Sequence, residues 1–145
     1  MKRSARLLKL LGLELSRERE QARQLADAQR NLNERRLRLG ELEGYLGDYK
    51  RQFNAVTGVP VPAVRVQADR AFLNRLSGII TQQSQAVVEA EQRVVARRDD
   101  WLQARHRVEA LRKAVERLDR EQAASARKQE QAVTDEAAQR TFKRH

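Results

Sequence analysis

Cysteine is absent from this 145-residue chain, so disulfide frameworks, thiol nucleophiles and cysteine metal sites are excluded. The lack is compatible with a reducing compartment. Aromatic residues make up only 4% and charged residues 34%, a balance unlike that of an ordinary globular core. Long apolar runs are missing too. No stretch approaches the roughly 18 apolar residues of a membrane span. The stretch Leu7 to Leu15 is broken by Lys9, Gly12 and Glu14, so no signal peptide is expected. A single soluble, cytoplasmic domain spanning residues 1–145 is the expectation.

What is present is a seven-residue period. From Leu73 every seventh residue is apolar: Leu73, Ile80, Val87, Val94, Trp101, Val108 and Val115. Leu76, Ala90, Ala104, Leu111 and Leu118 recur three residues after most of these. That is the a/d seam of a coiled coil, sustained well past three or four heptads. An earlier series runs Leu11, Glu18, Leu25, Leu32, Leu39, Leu46 and Phe53, interrupted only by Glu18. Its companions are Leu15, Ala22, Ala28, Leu42, Tyr49 and Val56.

Thr57-Gly58-Val59-Pro60-Val61-Pro62 is the one convincing break, because glycine stops a helix and proline biases its predecessor toward extended geometry. The pattern predicts helix 1 over about residues 4–56, a loop over about 57–66 and helix 2 over about 67–138. The two seams are equally long, so the chain is expected to fold back as an all-α, antiparallel two-helix coiled-coil hairpin. Such a hairpin would be on the order of 70 Å long. Matching seam ends would set Phe53 near Leu76, Leu11 near Leu118 and Trp101 near Ala28. Beyond Leu118 the period dissolves into Gln122, Ser125 and Gln129, so helix 2 should extend past helix 1. Gly40, Gly44 and Gly47 each cost about 1 kcal/mol against Ala inside a helix. They read either as a loosened last third of helix 1 or as room for a partner's close approach.

Catalytic chemistry finds no footing. A two-helix hairpin has no interior to form a pocket. His106, between Arg105 and Arg107, lacks the second histidine or carboxylate of a metal or base constellation. The Asp99-Asp100 side chains diverge on a helix, and no glycine-rich phosphate loop is present. No enzyme activity, metal, cofactor or small-molecule substrate is expected.

Two features are left over by the period. Near the loop, Leu42, Tyr45 and Tyr49 recur at helical spacing, and Phe72, Leu76 and Ile79 stand across from them. Neighbours such as Phe72 and Leu73 cannot both face one partner helix. The cluster reads as a thicker hairpin end or as an exposed aromatic patch for another protein. The net charge of +10 favours an acidic protein surface, nucleic acid or anionic lipid. Lys2, Arg3, Arg6 and Lys9 have no acid among them, and the tail adds Arg127, Lys128, Arg140, Lys143 and Arg144.

These residues together resemble the flagellar export protein FliJ family over most of the chain. The likeness lies in the opening MKRSARLLKLL, the matched seams, Tyr45, Tyr49 and Phe53 before the loop, and AFLNRLSGIITQQ after it. Trp101 within RRDDWLQARHRVEALRK and the charged C-terminal run complete it. The resemblance implies a cytoplasmic component of the membrane-associated type III export apparatus, with a coiled-coil fold similar to the central stalk of rotary ATPases. It implies three partners: the hexameric export ATPase, the cytoplasmic domain of the export gate, and export chaperones. The gate surface would fall on Leu42, Tyr45, Tyr49, Phe72 and Leu76. The free-terminal end, with Lys2, Arg3, Arg6, Lys9, Arg127, Lys128 and Arg140, would enter the ATPase ring. Contact with the membrane would come through partners only.

Three other readings compete. The equivalent stalk component of an injectisome shares the architecture. A nucleic-acid-binding coiled coil would use the basic surface, but its cations are interleaved with acids and the aromatics sit at the other end. A parallel homodimer would lack the fold-back.

Overall fold

The computed structural model describes residues 2–55 and 60–144, apart from the side chains of Lys2, Asn54 and Ala55. Val56 and residues 57–59 of the expected loop lie outside the described residues. Two helices make up the fold, α1 (Lys2–Ala55) and α2 (Ala63–Arg144), with no strand among the described residues. α1 runs unbroken through Gly40, Gly44 and Gly47. α2 starts four residues before the expected 67 and runs six past the expected 138. Its first turn is built on the Pro62 carbonyl, which accepts the N–H groups of Arg65 at 3.0 Å and Val66 at 3.2 Å. A residue preceding a helix needs only its carbonyl for this, so proline's missing N–H costs nothing there.

The contacts divide the chain into two compact units. In the unit Gln21–Trp101, Leu32, Val87, Ala90 and Val94 form the buried cluster, with Leu25, Ala28 and Leu39 packed against it. Arg36 Nη2 meets Glu91 Oε1 at 3.3 Å, and Tyr49 meets Asp69. Later α1 residues therefore meet earlier α2 residues, and the helices are antiparallel. In the unit of residues 1–20 and 102–145, Ala104 and Val108 are buried, while Leu11, Leu15, Leu111, Val115 and Leu118 are half-buried. Glu18, the interruption in the first seam, is answered from α2 by Arg105 Nη1 at 3.7 Å. The seams face inward, and the fold class is the all-α helical hairpin that the heptads predict.

The register differs from the expected one. Ala28, expected near Trp101, packs against the cluster of Leu32, Val87, Ala90 and Val94 and lines a groove with Ala90, and Leu7 shares a groove with Leu118, where Leu11 was expected. Tyr49, not Phe53, takes the place beside Leu76, and Phe53 is 40% exposed. The Ala28 offset is one heptad. A repeat of seven is unchanged by a slide of seven, so periodicity leaves that choice open. Ala28 and Ala90, two small residues, share a groove where a tryptophan facing an alanine was expected.

α2 outruns α1. Glu121 is the last α2 residue lining the groove with α1, and every described residue from 119 onward is exposed.

Candidate interaction surfaces

The loop-proximal cluster lies in the unit Gln21–Trp101. Tyr45, Asp48, Tyr49 and Gln52 of α1 and Phe72 and Leu76 of α2 line an open groove of about 410 Å³. Helical spacing brings Tyr45, Asp48, Tyr49 and Gln52 to one side of α1. The Tyr49 hydroxyl donates to Asp69 Oδ1 at 2.7 Å, tying the two helices beside the turn. Its ring lies against Phe72, with centroids 4.8 Å apart and planes tilted by 46°. The hydrogen bond to Asp69 raises the phenol pKa above its ordinary value. Partial desolvation and the Asp69 charge add to the rise, and Arg65 opposes it.

The structure thus sorts the five residues carried over by resemblance. Leu76 is buried at 9% exposure, and Leu42 and Tyr49 are half-buried. Tyr45 and Phe72 remain, at 64% and 43% exposed. Ile79, one heptad beyond Phe72 on the same face of α2, is exposed as well. Tyr45, Phe72 and Ile79 are large apolar groups open to a partner, as is Phe53 at the end of α1. Asp69, which orients Tyr49 and through it Phe72, was missed by sequence reasoning. It falls within the expected helix 2 but off the seam, and nothing in the spacing links it to Tyr49.

The basic cluster lies in the unit of residues 1–20 and 102–145. Arg3, Arg6 and Leu7 of α1 meet Ala114, Arg117, Leu118 and Glu121 of α2 around a second open groove. Arg3, Arg6 and Lys9 are exposed, while the Lys2 side chain lies outside the described residues. Arg117 joins this cluster, and the tail cations do not. Arg127, Lys128 and Arg140 sit on exposed α2 beyond Glu121, between roughly 15 and 35 Å along the helix from Arg117. The register explains this, since a chain slid by a heptad would have brought Arg127 and Lys128 back beside the start of α1. Leu8, Leu10 and Leu13 are also exposed here, at 54%, 48% and 57%. Leu7, Leu11 and Leu15 lie on the seam side, so the start of α1 also carries leucines on its outward side, among Arg3, Arg6 and Lys9.

Among the described residues no group of three His, Asp or Glu side chains could hold a metal ion. His106 is exposed, and Asp100 pairs with Arg97 at 3.7 Å. No helix is long and apolar enough among the described residues to cross a membrane.

Comparison with known proteins gives one family. Residues 2–145 match the family model described as Flagellar FliJ protein. No curated protein and no solved structure matches the chain. With that model covering the described chain from end to end, the protein belongs to the flagellar FliJ family and is a component of the flagellar protein export apparatus.

Proposed function

We propose that the chain is an adaptor that couples the hexameric export ATPase to the cytoplasmic domain of the export gate and handles export chaperones. It works in the cytoplasm by binding and by mechanical connection, with no bond chemistry, cofactor or small-molecule substrate. The observation that carries this reading is the pair Tyr45 and Phe72. Both are large and exposed, and Phe72 is set by the Tyr49–Asp69 clamp rather than left to find its own rotamer. Preset aromatic side chains on a rigid element are what a protein interface uses as anchors. In the other unit, exposed Leu8, Leu10 and Leu13 support the ring-end assignment as much as the cations do.

The decisive experiment measures binding of the export-gate domain to Tyr45→Ala and Phe72→Ala chains, alongside their helicity. Each variant should weaken binding by about 1–3 kcal/mol while circular dichroism stays unchanged. Loss of helicity together with binding would make these residues core and remove the gate surface. Co-purification with the hexameric ATPase, lost on deleting residues 1–10, tests the other end.

A further inference from the structure

We propose that the outward face of the first three turns of α1 is a binding site for the headgroups of an anionic lipid bilayer. Arg3, Arg6, Leu10 and Leu13 follow one another at intervals of three and four residues, which places them on one side of the helix, with Lys9 beside Arg6 and Leu13. The seam occupies a different side, through Leu7 and Leu11. Arg3, Arg6 and Lys9 are exposed, and Leu10 and Leu13 are about half exposed. Arg117 adds a fourth cation across the groove, where Glu121 is the one carboxylate. Among the described residues Arg3, Arg6, Lys9 and Arg117 form no ion pair, and the first acid of the chain, Glu14, is engaged by Arg17 at 3.0 Å.

Cations alone would suit any polyanion. The leucines decide the class. Leu10 and Leu13 lie among the cations on a convex helix face, with no aromatic ring to stack on a base, so nucleic acid would leave them against phosphate and water. At a bilayer surface the two leucines enter the headgroup boundary while the long arginine and lysine side chains reach out to the phosphates. A single weak apolar anchor needs a basic patch beside it for stable attachment, and this face supplies both. The site gives the chain a membrane contact of its own, in place of contact through partners only. It stands without the ring-end reading, although the same cations serve both, so a bilayer and an ATPase ring would compete for them.

The test is flotation of the full chain with vesicles of phosphatidylcholine alone, or mixed two to one with phosphatidylglycerol, in the absence of the ATPase. The chain should float with the anionic vesicles only and be released by salt. Replacing Arg3, Arg6 and Lys9 by glutamine should weaken partitioning on the order of a hundredfold, about fivefold per cation. Leu10→Ser with Leu13→Ser keeps every charge and should still weaken partitioning about tenfold. Failure of the parent chain to float with anionic vesicles overturns the proposal, as does equal binding to neutral ones. So does leucine-variant binding as tight as the parent's, which would leave a cationic surface for an acidic protein or a nucleic acid. A change in helicity of the leucine variant is checked by circular dichroism, and the glutamine variant then carries the test, its unchanged binding overturning the site.

Discussion

Tyr49 directs its hydroxyl inward to Asp69, and this sets what its neighbours do. A phenol whose pKa is raised on folding is held neutral in the native state. The stability it contributes is fully present below the ordinary tyrosine value near 10 and is lost as pH rises through the raised native value. Thermal unfolding of the chain should therefore be insensitive to this group through neutral pH and weaken only in strong alkali. Tyr49→Phe should lower the unfolding midpoint slightly at neutral pH and remove its share of that alkaline loss. Near-ultraviolet phenolate absorbance should then show a late Tyr49 titration in the parent that the variant lacks. An early, normal titration of Tyr49 in the parent would mean that the clamp is open in solution. Sequence reasoning found Tyr45, Tyr49 and Phe72 as a group, but spacing could not sort exposed from anchored. That distinction depends on Asp69, twenty residues along the chain from Tyr49.

The helices were legible because a seam of sevens needs only one-dimensional information. Both seams and the overrun of α2 follow from it. Register was not legible, since sliding a repeat by its own period leaves the pattern intact, and small residues such as Ala90 hold the difference. The glycines of α1 were ambiguous for a related reason, because their use depends on what stands above them. Nothing lies within 4 Å of a methyl group added at Gly40 or Gly44, and at Gly47 only the mobile end of Arg51 does, at 3.9 Å. No close approach among the described residues requires them. Gly44→Ala should therefore stabilise the helix by about 0.5–1 kcal/mol, read as a rise in denaturation midpoint. A destabilised variant would show that the helix bends there in solution.

At the scale of the molecule, charge and packing are distributed differently. Thirty basic and twenty acidic side chains cover the chain, but apolar burial ends before the last stretch of α2. Residues 122–144 bury nothing against α1. Truncation after Glu121 should lower total helicity while moving the thermal midpoint of the remaining chain by no more than about 2 °C. A larger fall would mean that the tail packs in solution. Amide exchange should show the same contrast, fast in the tail and slow at Val87 to Val94 and at Ala104 to Val108.

That overhang also bears on the thermodynamics of assembly. A disordered arm that folds as it binds loses backbone freedom at that moment and shows the large negative heat-capacity change of coupled folding. The end of α2 is helical before it meets anything, so little backbone entropy remains to be lost. Association through it should resemble docking of a preformed surface, with a heat-capacity change set by the contact area alone.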